Sequence, residues 1–478
     1  MAKPLFLHPD RLFPANPDIR GIARRLYESV KNLPVISPHG HTDPEWFASN
    51  ANFSNPTDLL LTPDHYLYRM LYSQGVTLES LGLRPLRRAG DEATLHATVA
   101  GPRAAWQLFA ANYHLFRGTP SRLWLDWVFA EVFGLKERLE TATAEHYYEQ
   151  IAEALATPAF KPRALFERFR IEVLATTESP LDSLPHHQAI RVSGWGGRII
   201  TTFRPDPVVD PEFEGFTGNL KALSDLTGED CCNYRGYLTA LRRRRAFFAA
   251  LGATATDHGH PTAATADLSQ REAEQLFAVV ARGEASQSQA ELFRAHMLTV
   301  MAGMSLDDGM VMQIHPGSLR NHNRQVFDRF GRDKGADIPT ATDYVTALRP
   351  LLDRYGNEAA LTIILFTLDE TAYARELAPL AGHYPALKLG PPWWFHDSPE
   401  GMRRFRRRVT ESAGFYNTVG FNDDTRAFLS IPARHDVARR MDCGYLAQLV
   451  AEHQLEEWEA AELAGELAYS LAKRCYKL

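Results

Sequence analysis

Eight short apolar runs punctuate the chain, and each gives way at its C-terminal end to polar or glycine-rich residues. They begin at Val35 (VISPHGH), Val173 (VLATTE), Arg198 (RIITTFRP), Ala253 (ATATDHG), Val311 (VMQIHPG), Leu361 (LTIILFTLDE), Leu387 (LKLGPPWW) and Asn417 (NTVGFNDD). Segments with helical apolar spacing lie between most of them, as around Leu292 to Met304. Strands alternating with helices call for a parallel sheet, and eight such units predict an α/β fold, a closed (β/α)8 TIM-type barrel. The rival is an open doubly wound sheet, but no glycine-rich phosphate loop follows any run. Between the first two runs, residues 42–171 are too long for a structureless loop and carry helical patterns such as AAWQLFAANYHLF. We read 42–171 as a helical insertion over one end of a barrel formed by 1–41 and 172–478, the latter ending in helices from Gly444 onward.

The bulk properties exclude several classes. A net charge of -6 argues against binding nucleic acid by phosphate neutralisation. The arginine runs Arg242 to Arg245 and Arg403 to Arg408 are expected to be solvated helix faces, since acidic residues outweigh them overall. The four cysteines (Cys231, Cys232, Cys443, Cys475) form no Cys-x-x-Cys spacing, which favours a reducing compartment. The N-terminus is broken by prolines and charges, and no apolar stretch is long enough to span a bilayer. The expectation is a cytoplasmic protein without membrane or nucleic-acid partners, for which a homo-oligomer is left open.

Barrel enzymes place their chemistry at the C-terminal ends of strands. Here those ends carry His39 and His41, Arg204, Asp257 and His258, His315, Trp393 and Trp394, and Asp423, Asp424 and Arg426. A His-x-His pair on a strand projects both imidazoles to one side, which suits one divalent metal. Taken singly, each has a plainer reading: His315 as a hydrogen-bonded core histidine, the tryptophans as packing, Asp424 and Arg426 as a salt bridge. His258 and His260 are expected to be structural. Together, a His-x-His after the first strand, a His after the fifth and an Asp after the eighth describe one metal site.

These residues resemble the amidohydrolase superfamily and, within it, the uronate (glucuronate) isomerases. The resemblance runs through SPHGHTDP, PDHYLYRMLYSQGV, FRPD, TDHG, QIHPGSLRNHN, LGPPWWFHD, DDTRAFLSIPARHD and the terminal AKRCYKL. Many relatives read Thr-Asp-Ser-Arg where this chain has Asp423-Asp424-Thr425-Arg426, so alignment on Arg426 selects Asp424. Some carry a cysteine where Gly40 stands, which leaves ligation by its neighbours intact.

The resemblance implies isomerisation of D-glucuronate to D-fructuronate and of D-galacturonate to D-tagaturonate through a cis-enediol. It implies one divalent metal, zinc, on His39, His41 and Asp424, with His315 as a further ligand or a substrate contact. Asp424 is the expected base, with Arg426 and Tyr66 stabilising the enediol and moving the hydroxyl proton. Arg204 is the expected clamp for the uronate carboxylate, supported by His65 and Arg320. Trp393 and Trp394 complete the substrate set. Two alternatives stand beside this reading. A mononuclear deaminase or hydrolase shares the ligand pattern but needs an acid soon after His315, where HPGSLRNHN offers none. A non-catalytic barrel would have no use for a full ligand set.

Overall fold

The computed structural model describes residues 3–86 and 99–478. Five parallel strands come first: β1 (Val35–Ser37), β2 (Ile171–Glu178), β3 (Arg198–Phe203), β4 (Ala255–His258) and β5 (Val311–Ile314). An antiparallel hairpin, β6 (Ser318–Leu319) and β7 (Ile338–Pro339), interrupts the series before β8 (Ile363–Leu365) and β9 (Leu387–Leu389). The seven parallel strands form one curled sheet in the order β1-β2-β3-β4-β5-β8-β9.

The eighth run contributes a single parallel bridge, Thr418 beside Leu389, rather than a strand. There Leu389 N–H donates to Asn417 O (2.8 Å) and Val419 N–H to Leu389 O (3.1 Å). The ladder stops because Gly420 (φ +76°) and Asp424 (φ +34°) leave the extended region. The seam toward β1 is crossed by His41 N–H donating to Thr425 O at 3.0 Å.

Alternation decides what faces inward. On β5, Met312 and Ile314 pack outward against the helices, whereas Val311 joins the interior with Ala255, Ile364 and Val419. Gln313 and His315 share that inner face. The tail of the chain fills the end of the barrel away from the mouth. Ala472 packs among Ile36, Val173, Ala175 and Ile200, and Tyr476 among Ala255, Val311, Ile364 and Val419.

Among the described residues, the segment between β1 and β2 is helical, from Pro44–Ser49 to Pro162–Arg168. Pro44, Pro56, Pro102, Pro120 and Pro162 each open a helix, where a missing N–H costs nothing. Asp43, Asn55 and Thr119 cap three of these by accepting from first-turn amides. Their apolar faces share one core with Val35, Ile171, Leu174 and Ile199.

The arginine runs are not solvated faces throughout. Arg244, Arg245 and Arg406 are buried, because helical spacing turns them inward while their neighbours stay out. Each finds acceptors there: Arg244 on Pro180 O and Asp182 O, Arg245 on Asp308, and Arg406 on Asp442. All four cysteines are free thiols. Among the described residues no helix is long and apolar enough to cross a membrane.

Candidate active site

All eleven residues expected to act on metal or substrate line one cavity of about 580 Å³ at the C-terminal ends of the strands. His39 and His41 reach it from irregular backbone beyond β1, not from the strand itself, and their rings stand at 82° to each other. Thr177 holds that turn by donating to Gly40 O at 2.9 Å. A Cβ at Gly40 would lie 3.4 Å from Thr425 O, tight but feasible, so the cysteine of some relatives could fit there.

Asp424 Oδ1 lies 3.2 Å from His41 Nε2 and 3.6 Å from His39 Nε2. His39, His315 and Asp424 each offer a ligand atom within 4.8 Å of the others, a geometry fit for one metal ion. His41 flanks this group through Asp424. His315 Nδ1 is 2.7 Å from Asp257 Oδ1, while its Nε2 is buried with no partner. An imidazole that donates from one nitrogen to a carboxylate presents the other as a lone pair, the usual arrangement of a metal-ligating histidine. Asp257 faces inward on β4, whereas His258 turns outward onto Thr256 Oγ1 (3.0 Å). His258 and His260 are buried and do not line the cavity.

Electrostatics sort these groups. Burial pulls Asp424 upward, but His39 and His41 outweigh it and hold the carboxyl well below its usual range. Burial drives His39 down to about 4 and His65 to about 3, so both are neutral at pH 7. Burial raises Tyr66 well above an ordinary phenol, keeping its proton. Glu178 and Asp397, also on the cavity or just behind it, are pushed up to about 7 by burial.

His65 and Tyr66 open the helix His65–Ser73, whose N-cap Asp64 accepts from Tyr66 N–H (2.8 Å). Trp394 packs edge-on against His65 at 5.5 Å, and Trp393 against His315 at 4.7 Å. The sequence suggested Arg204, Arg320 and Arg426 as cations for an acidic substrate. Each of the three is met by a carboxylate: Arg204 by Asp257 (2.9 Å) and Asp206 (2.8 Å), Arg320 by Asp337 (3.0 Å), Arg426 by Asp333 (2.9 Å). A charge lining a half-buried cavity needs a counter-charge when no substrate is bound. Gly259 permits the Arg204 pairing, since a Cβ there would lie 2.0 Å from Arg204 Nη2.

Several groups were not singled out from the sequence. Asp333 comes from a loop, and Arg434 from the helix Ile431–Ala451, where it lies 3.6 Å over the Trp124 ring and pairs with Asp397 at 2.5 Å. Neither position has periodicity to betray it. Asp257 was noted at its strand end but given no role, although alternation on β4 gives it the inward face.

The sequence profile of glucuronate isomerase matches residues 18–476. The chain is 70% identical to the uronate isomerase of Sphingopyxis alaskensis over 482 residues, covering 100% of both. It is 67% identical to that of Xanthomonas axonopodis pv. citri, covering 99% of each. The crystal structure of glucuronate isomerase from Caulobacter crescentus superposes with a TM-score of 0.96 at 61% identity, covering 99% of this chain and 98% of that one. On sequence and on fold alike, the chain belongs to the glucuronate isomerase family.

Proposed function

We propose that this chain isomerises D-glucuronate to D-fructuronate and D-galacturonate to D-tagaturonate through a cis-enediol. One divalent ion, zinc, is held by His39, His41 and Asp424, with His315 as a further ligand or substrate contact. The observation that carries the reading is the unpartnered Nε2 of His315 beside His39 and Asp424, in a cavity also lined by Tyr66 and paired arginines. Bound zinc supplies Lewis acidity toward the substrate's oxygens.

The reaction moves a proton from C2 to C1 and another from the C2 hydroxyl to the C1 oxygen. Asp424, ionised at neutral pH, takes the first and returns it to C1. Tyr66, held protonated, donates to the developing oxyanion and relays the second. Arg426, on the rim beside Asp333, adds positive charge there. Arg204 clamps the carboxylate at the other end of the substrate, with His65 and Arg320 beside it, and the tryptophans shield the enediol from water. Full-length relatives named as isomerases leave the hydrolase alternative without support. We place the reaction in the cytoplasm, where the four free thiols are stable.

The test is direct. Zinc-replete protein incubated with D-glucuronate should give ketose signals by NMR, and a substrate spectrum that stays unchanged overturns the reading.

A further inference from the structure

Arg434 lines the cavity and has no role in the chemistry derived so far. Only 2% of it is exposed, whereas the other arginines on that wall are half-buried or open. It stands in the first turn of the helix Ile431–Ala451, where the helix dipole disfavours a cation. The helix therefore gains nothing from its charge. Its guanidinium is fixed on three sides. Nε donates to Ser430 Oγ (3.1 Å), and Nη1 donates to Asp397 Oδ2 (2.5 Å) and Asp423 O (3.4 Å). Its Cζ lies 3.6 Å from the centre of the Trp124 ring. Nη2 alone has no hydrogen-bond partner among the described residues, and it is not sealed from solvent. Its two N–H bonds are left for whatever occupies the cavity. Tyr66 shares that corner: its ring meets Trp124 edge-on at 6.2 Å, and Arg434 is the strongest charge acting on its phenol. Asp424 follows directly on the carbonyl that Arg434 holds.

We infer that Arg434 is a further catalytic residue, whose Nη2 donates to the substrate oxygen that becomes anionic as C2 loses its proton. When the C2–H bond breaks, its electron pair becomes the C1=C2 bond of the enediol. The carbonyl pair moves onto the C1 oxygen, and the proton goes to Asp424. The new negative charge is stabilised best by donors already in place. Arg426 is less suited to that duty, since its side chain is 39% exposed and its Nη2 is taken by Asp333. Arg434 is buried and aimed by its anchors, so its free N–H bonds act where the dielectric is low. Asp397 orients the guanidinium through Nη1 and leaves Nη2 unoccupied.

The inference rests on the isomerase reading, and steady-state kinetics of the full-length protein with D-glucuronate separates the two. An unmutated chain that forms no ketose overturns that reading and this inference with it. Where the unmutated chain turns over, Arg434→Lys decides. Lysine can keep the pairing with Asp397 but has no second nitrogen for the cavity. Its kcat should fall by about 100- to 1,000-fold, the usual loss for one preorganised donor, with KM changed by less than about threefold. Zinc content by elemental analysis should match that of the unmutated protein. Should Arg434→Lys not fold, the double variant Arg434→Gln, Asp397→Asn removes both buried charges together and should show the same loss of kcat. Retained turnover in the variant that folds overturns the role. A raised KM with kcat kept also overturns it, since Arg434 would then grip the ground state. Lost zinc overturns it too, because Arg434 would then act by holding the backbone before Asp424.

Discussion

Asp424 adopts a left-handed backbone, which aspartate tolerates better than most side chains, and so turns its carboxylate toward His39 and His41. Its neighbour Asp423 turns into the barrel wall, accepting from Ser37 Oγ (3.1 Å) and sitting 3.1 Å from His435 Nε2. Asp424→Asn should therefore lower kcat by about a hundredfold or more, the cost of a lost positioned base. Asp423→Thr should retain most of the turnover with a urea stability lower by about 1–3 kcal/mol, as expected for imperfectly satisfied buried partners. Steady-state kinetics showing the reverse pattern would redraw the site around Asp423. Arg204 calls for a gentler change, because its removal would strand Asp257 and Asp206 in the interior. Arg204→Lys keeps the charge and loses the fork, so KM for uronates should rise more than kcat falls. An unchanged KM with reduced turnover would assign Arg204 to the reaction centre.

At the scale of elements, seven of the eight apolar runs become strands, since each couples β-type residues to a turn or helix start. The eighth fails as a strand for a reason that alternation cannot reveal. Val419 and Phe421 alternate as a strand should, but Gly420 turns the chain between them. The hairpin of β6 and β7 escaped notice because two residues carry no period. The site was legible to the extent that strand ends point into a barrel mouth. Asp333 and Arg434 were not, because a loop and a C-terminal helix bring them in from outside the repeating pattern. The helices that deliver the strands carry ordinary signals. Gln287–Asp308, which leads into β5 and His315, begins with a capping box of Ser286 and Gln289 and ends at Gly309 (φ +77°). Ser286→Ala should cost about 1 kcal/mol in chemical denaturation and leave kcat unchanged. A fall in kcat of tenfold would mean that this helix sets the position of His315 as well as its stability.

Across the whole molecule, burial raises three carboxyl groups, Asp64, Glu178 and Asp397, the last two furthest. Glu178 and Asp397 have folded values of about 7, above their ordinary 4.5 and 3.8. Between about pH 4 and pH 7 the folded state binds more protons at these sites than the unfolded chain, so their contribution to stability falls as pH rises. At about 1.4 kcal/mol per pKa unit the two shifts are worth at most about 3 and 4 kcal/mol. A Glu178→Gln, Asp397→Asn double variant should lose less stability than the unmutated protein on going from pH 5 to pH 7.5. Parallel denaturation curves, with equal losses in both, would show that the two acids ionise normally. The seam between β1 and the eighth run has a mechanical side as well. A closed hoop carries its tension evenly through the backbone, but this hoop is broken at one place. Among the described residues the break is crossed by the hydrogen bond from His41 N–H to Thr425 O, by Ser37 Oγ donating to Asp423, and by the approach of His39 and His41 to Asp424. The catalytic mouth is thus the buckle of the barrel. An ion or sugar gripped there pulls the two loose ends together, so occupancy and roundness become one variable, and thermal opening should begin at the jaws of the site rather than among the outer helices.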